Sequence, residues 1–193
     1  MKIVFATHNP NKVREINAIL GDALEIVGLD EIGCTEDIPE TQATIQGNAL
    51  QKARYVKEHF GLDCFAEDTG LEIDALNGEP GVYTARYAGP ERSADANMAK
   101  ALQKLQGKPN RGAQFRTVIA LILNGEEHTF EGIARGMIAM EKRGEKGFGY
   151  DPIFVPEGYD KTFAELSAEE KNKISHRGKA TALFHEFLAQ IGK

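Results

Sequence analysis

Apolar residues open the chain as a short run, Ile3-Val4-Phe5-Ala6, and then change period. Val13, Ile16 and Ile19-Leu20 recur at the spacing of one helix face. Asn9 ahead of Pro10 marks the start of that helix. An Asn side chain caps free N–H groups, and Pro fits the first helical position, where its missing N–H costs nothing. Gly21 is the stop. A second helix is predicted from Ile45 to Phe60, with Ala49, Ala53, Val56 and Phe60 as its buried stripe and Gly61 after it. Asn48 and Lys52 sit one turn apart on its flank and can point the same way. Next come a strand at 64–66, a carboxylate-bearing turn at 67–70 and a short strand at 71–73.

The Gly/Pro-rich stretch Asn77-Gly78-Glu79-Pro80-Gly81 leads into Val82-Tyr83-Thr84-Ala85-Arg86-Tyr87. Ser93 then caps a helix carrying Met98, Leu102 and Leu105, which Gly107 and Pro109 end. Phe115 to Leu123 is an almost unbroken apolar run, as expected of a strand covered on both faces. Thr129 to Ile138 reads as one further strand or two. Ser167-Ala168-Glu169-Glu170 is a capping-box start. The last helix begins near Ser175 and carries Leu183, Phe184, Phe187, Leu188 and Ile191. Early alternation of strand and helix, then a strand-rich middle, predicts an α/β fold with a mixed sheet in two lobes. No repeat or linker divides the chain, so residues 1–193 read as a single domain.

Composition narrows the function. At 193 residues, 41% hydrophobic and 27% charged, the chain can fill one core without staples. Its net charge of −6 argues against a surface that coats nucleic acid, which calls for a basic excess. A few cations focused in a cleft can still bind a small polyphosphate. The two cysteines, Cys34 and Cys64, have no zinc or CxxC spacing and suit a reduced, cytoplasmic protein. Cys64 lies in an apolar run and reads as a buried thiol. The N-terminal apolar stretch is too short for a signal peptide. No apolar run reaches the roughly 18 residues of a membrane span.

Four segments carry candidate chemistry. Thr7-His8-Asn9-Pro10-Asn11-Lys12 lies between strand and helix, where backbone N–H groups and the helix dipole favour an anion and Lys12 adds charge. It lacks the glycines of a Walker A loop. Glu67-Asp68-Thr69-Gly70 follows a buried strand, at the position where open α/β sheets bind ligands. A carboxylate there can ligate Mg²⁺ and activate water, with Glu40 as a candidate second ligand. Gly147-Phe148-Gly149-Tyr150-Asp151-Pro152 offers close backbone approach and an aromatic that can lie flat on a base. Pro152 biases Asp151 toward an extended conformation. Lys171, His176 and Arg177 end the series. The last two fall in a first helical turn, where cations oppose the dipole unless they face an anion or a carbonyl oxygen. Each segment alone also reads as an ordinary capped turn, acidic loop or aromatic plug.

Together and in this order, the segments resemble the non-canonical purine nucleoside triphosphate pyrophosphatases, the inosine triphosphatase family, from about residue 3 to residue 188. The marks are Ala6-Thr7-x-Asn9-x-x-Lys12, the Glu40 segment, Asn48-Ala49-x-x-Lys52-Ala53 and Ala66-Glu67-Asp68-Thr69-Gly70-Leu71. Gly78-x-Pro80-Gly81-Val82-Tyr83-Thr84-Ala85-Arg86-Tyr87, Gly147 to Pro152 and Ser175-His176-Arg177-Gly178 complete them. The resemblance implies a two-lobed α/β/α fold with a long mixed central sheet and an active-site cleft between lobes, usually as a homodimer. It implies hydrolysis of ITP, dITP and XTP to the monophosphate and pyrophosphate with Mg²⁺. By position, Asp68 would be general base and metal ligand, and Glu40 the other ligand. Thr7, His8 (by its backbone only), Asn9, Pro10, Asn11, Lys12, Lys52 and Thr69 would hold the phosphates. Phe148 would stack on the base, Gly149 and Tyr150 would also contact the substrate, and Asp151, Lys171, His176 and Arg177 would read the base edge. The family often has Asp-Asp-Ser-Gly where this chain has Glu67-Asp68-Thr69-Gly70, and Gly where it has His8.

The sequence leaves two other readings standing. One is a nucleotide-binding module that senses polyphosphates without cleaving them. The other is a related pyrophosphatase acting on other modified nucleotides.

Overall fold

The structure, a computed structural model, describes residues 2–21 and 24–191. Six strands form one sheet in the order β2-β1-β3-β4-β5-β6, over Lys2–Phe5 (β1), Glu25–Val27 (β2), Cys64–Ile73 (β3), Gly112–Leu123 (β4), Glu126–Ile138 (β5) and Phe154–Pro156 (β6). β1 pairs in parallel with β2 and β3, and β5 pairs antiparallel with β6, so the sheet is mixed as expected. β4 and β5 are joined only by Asn124 and Gly125, both at positive φ (51° and 84°), the geometry of a tight hairpin. Among the described residues the α-helices cover Pro10–Leu20 (α1), Ile45–Phe60 (α2), Ala94–Lys104 (α3), Ala168–Ile174 (α4) and His176–Ile191 (α5). None of the described helices is long and apolar enough to cross a membrane.

Most of the helix punctuation read from the sequence is observed, but α3 ends at Lys104, ahead of Gly107 and Pro109, and the Thr44 cap of α2 is not among the expected signals. The Asn9 side chain accepts the N–H groups of Asn11 and Lys12, and Pro10 is the first residue of α1. Thr44 caps α2, whose far end closes on Gly61 at φ 69°. Ser93 and Ser167 cap α3 and α4, the latter with the full capping box to Glu170.

Two compact units share the chain. The first holds residues 1–68, 117–132 and 177–193; the second holds residues 69–116 and 133–176. The core of the first is built from Ile3, Phe5, Ile16, Phe65, Ile119, Leu121 and Phe184, with the Phe5 and Phe65 rings stacked at 4.3 Å. Cys64 is buried there, as expected. Its thiol donates to the Ala53 carbonyl at 3.1 Å, and burial pushes its pKa up to about 12, which makes it inert. The core of the second unit gathers Leu71, Ile73, Met98, Leu105, Phe115, Tyr150, Phe154 and Phe163.

One reading needs correction. Residues 67–70 do not form a turn between two short strands; β3 runs unbroken from Cys64 to Ile73. Two adjacent acids would ordinarily end a strand. Here Glu67 is fully buried and Asp68 nearly so, because cations from α1, α2 and α5 meet them. Extended backbone then continues through the pair.

Candidate active site

In the first unit, α1, α2, β3, α5 and the stretch 34–44 bring seven ionisable side chains together. Lys12 stands one turn into α1, with its ammonium 3.3 Å from Glu67 Oε1 and 3.4 Å from the Glu67 carbonyl oxygen. Lys52 reaches from α2 and donates to the same carbonyl at 2.9 Å. Its ammonium also bridges two carboxylates, Glu40 at 2.5 Å and Asp68 at 3.6 Å. Arg177, in the first turn of α5, forms a bidentate pair with Glu67 at 2.7 and 3.0 Å and donates to Glu15 at 2.5 Å. Three cations (Lys12, Lys52, Arg177) thus face four carboxylates (Glu15, Glu40, Glu67, Asp68), leaving one negative charge in excess.

The charges are tuned by their surroundings. Burial raises the pKa of Asp68 from its ordinary value, although Lys52 and Lys12 pull the other way. Burial lowers that of Lys12 despite its acidic neighbours. For Lys52, burial opposes the charge, but Asp68 and Glu40 outweigh it and the pKa rises. Arg177 follows the same pattern, with Glu67 and then Glu15 outweighing burial. The result is a carboxylate whose proton affinity is raised by burial beside the Lys52 ammonium, a setting suited to a general base.

The loop before α1 is ordered by its own side chains. Asn9 N–H donates to Thr7 Oγ1 at 3.1 Å, and the His8 ring donates from Nε2 to the Glu36 carbonyl at 3.2 Å. The Asn9 carboxamide takes the N–H groups of Asn11 and Lys12, and the charge this segment turns toward the acids is the Lys12 ammonium, which lies on Glu67. Thr69 follows Asp68 in β3 and is half-buried.

The second unit carries a separate cluster. Gly147 has φ 73°, and a Cβ on it would lie 2.0 Å from Asp151 Oδ2. Only glycine fits this turn. The turn lets Asp151 accept both the Phe148 N–H at 2.9 Å and the Lys171 ammonium at 2.7 Å. Lys171 in turn lies 5.0 Å from the centre of the Phe148 ring, in cation–π contact. Asp151 and Lys171 are both buried. His176 is stacked on Phe115, with centroids 4.4 Å apart and planes 16° apart. Phe148, Asp151 and Lys171, expected as one base-reading group, are therefore in mutual contact. Tyr150 packs in the unit's core, with its hydroxyl donating to the Thr84 carbonyl at 2.7 Å.

Sequence reading missed Glu15, Gln51 and Thr41, whose parts emerge only from the contacts. The spacing of Lys12 and Glu15, i and i+3 on α1, was the available signal for the first.

Comparison with known proteins places these geometries in a family context. The Ham1 family matches residues 3–187. A dITP/XTP pyrophosphatase of Flavobacterium johnsoniae is 59% identical over 188 residues, covering 97% of this chain and 98% of that one. The dITP/XTP pyrophosphatase of Bacillus subtilis is 50% identical, covering 96% of each. Among solved structures, the Ham1 protein of Staphylococcus aureus superposes with a TM-score of 0.91 at 41% identity, over 99% of this chain and all of that one. A nucleoside-triphosphatase / dITP/XTP pyrophosphatase of Mycobacterium abscessus gives 0.79 at 46% identity, over 95% and 98%.

Proposed function

Since the chain belongs to the Ham1 family, we propose that it hydrolyses dITP, ITP and XTP to the nucleoside monophosphate and pyrophosphate, clearing deaminated purines from the nucleotide pool. The observation that carries this reading is the pairing of buried Asp68 and half-buried Glu40 about the Lys52 ammonium, with Lys12 alongside. Its parts match what the transfer of a nucleotidyl group to water requires: a base, charge neutralisation and positioning.

Asp68 takes a proton from the water that attacks the α-phosphorus. The bond from that phosphorus to the bridging oxygen breaks, and pyrophosphate leaves with the electron pair. Lys12 and Lys52 meet the negative charge that builds on it. The donor set also fits Mg²⁺, which binds through one or two carboxylates together with substrate phosphates and waters. Glu40 and Asp68 are the two carboxylates that would hold it. Among the described residues no three His, Cys, Asp or Glu side chains gather into an all-protein cage, and this kind of site needs none. When bound, the ion supplies charge to the phosphoryl oxygens and lowers the pKa of water.

Base recognition falls to the second cluster. Phe148 offers its ring face, and Lys171, already oriented by Asp151, is a pure donor matched to a 6-keto oxygen. Adenine presents an amino donor at that position and would leave the buried ammonium facing another donor, a mismatch sites of this kind reject strongly. Arg177 is engaged by Glu67 and Glu15, so meeting a base carbonyl requires it to give up one of them.

A panel of ITP, dITP, XTP, GTP, ATP and dTTP, assayed for pyrophosphate with Mg²⁺ and with chelator, tests the reading. The keto purines ITP, dITP and XTP are cleaved, ATP is cleaved at least about 100-fold more slowly, and chelation abolishes release. Binding without cleavage would identify a sensor instead, and equal cleavage of dTTP would remove the base assignment.

A further inference from the structure

Glu40 lies in the stretch 34–44, which has neither helix nor strand to fix it. A metal-binding carboxylate on such a stretch needs another source of precision, because backbone groups outside regular structure must find their partners elsewhere. α2 provides them. Asn48 accepts the Gln42 N–H at 2.9 Å, Gln51 accepts the Thr41 N–H at 2.9 Å, Lys52 pairs with Glu40, and the Tyr55 hydroxyl donates to Glu36 at 2.9 Å. The helix positions are i, i+3, i+4 and i+7, a single face. Their partners run the opposite way along the stretch, so the helix face acts as a template on which 36–42 is laid. Gly47 shows how closely it lies: a Cβ there would be 2.8 Å from Gln42 Cβ.

Gln51 is the distinctive rung. Its carboxamide is used twice on one residue, accepting from the Thr41 N–H and donating from Nε2 to Thr41 Oγ1 at 2.9 Å. This cyclic pair fixes both the backbone and the side chain of the residue next to Glu40. It competes with no substrate group, since Lys52 and not Gln51 touches the carboxylates.

We propose that Gln51 is a positioning residue for the metal site: through its two-point grip on Thr41 it sets where the Glu40 carboxylate stands. The inference rests on the reading of Glu40 and Asp68 as the metal-binding pair.

The test is direct Mn²⁺ binding, followed by electron paramagnetic resonance on the full-length protein, alongside the Mg²⁺ dependence of dITP cleavage. Gln51→Ala raises the Mn²⁺ dissociation constant and the half-saturating Mg²⁺ concentration about tenfold. KM for dITP at saturating Mg²⁺ does not move. Thr41→Val, which keeps the N–H and loses the hydroxyl, gives a smaller shift of the same kind, and Thr41→Ser restores wild-type binding. The double variant Gln51→Ala/Thr41→Val is no worse than Gln51→Ala, because both act through one contact. Glu40→Gln separates the two layers. If it weakens Mn²⁺ binding while Gln51→Ala and Thr41→Val leave it unchanged, the positioning role is wrong and the metal reading stands. If Glu40→Gln leaves Mn²⁺ binding unchanged, the metal reading fails and the role of Gln51 goes with it. Equal changes in metal affinity, nucleotide KM and turnover would mark Gln51 as a general structural residue and also overturn the proposal.

Discussion

Asp68→Asn lowers turnover of dITP by about 1,000-fold, while KM changes little and the folded protein is not weakened. The expectation follows from two features of the site. Asn keeps the shape of the side chain, and Lys52 keeps its closer partner, Glu40, so the phosphate-binding charges stay in place. What is lost is the proton acceptor and one of the two carboxylates that would hold Mg²⁺, so the comparison is made at saturating Mg²⁺. The stability half is a sign argument. Burial raises the pKa of Asp68 in the folded protein, so its ionised form is less favourable there than in the unfolded chain. Such a group lowers folding stability as pH rises from the unfolded pKa through the folded one, and a neutral isostere removes that cost. Thermal unfolding at neutral pH should therefore show a midpoint equal to or above that of the wild type. A fall in the melting temperature alongside the loss of rate would assign Asp68 a structural role instead.

Much of this site could be read in the amino-acid sequence, and the unread part has a common cause. Asn9, Pro10 and Gly21, or Ser93 and Gly61, act within a few residues of themselves, so their chemistry is local and those helix ends follow. The glycine-bounded Phe148 turn is equally local, with Gly147, Phe148 and Asp151 within five positions. Glu67 is different. Its neighbours suggest a solvated acidic turn, and it takes Arg177, 110 residues away, together with Lys12 to explain why it can be buried in a continuous strand. The grip of Gln51 on Thr41 is hidden in the same way, because an irregular stretch has no period that ties it to a helix. Short-range signals set the elements. The long-range ion pairs decide where the charges can sit.

The second large effect tests that last point. Arg177→Met should destabilise the protein by about 3–5 kcal/mol, because it leaves Glu67 as a buried carboxylate without its bidentate partner. For a chain of this length that corresponds to a fall of roughly 10 °C in the melting temperature. Lys12, at 3.3 Å, remains near Glu67 but is itself buried with a lowered pKa, so it compensates only in part. The penalty belongs to the uncompensated charge and not to lost packing, since Met fills most of the same volume. Neutralising the carboxylate as well, in Arg177→Met/Glu67→Gln, should therefore recover more than half of the loss. Chemical denaturation of the wild type, the two single variants and the double variant measures the coupling directly. Additive losses would show that Arg177 and Glu67 do not depend on each other.

The central claim is that water, deprotonated by Asp68, attacks the α-phosphorus of a deaminated purine nucleoside triphosphate. The most direct measurement is hydrolysis of dITP in heavy-oxygen water, with the products resolved by mass spectrometry. The account predicts one heavy oxygen in the nucleoside monophosphate and none in the pyrophosphate. Label in the pyrophosphate, or release of inorganic phosphate with a nucleoside diphosphate, would place the attack on a different phosphorus and contradict it.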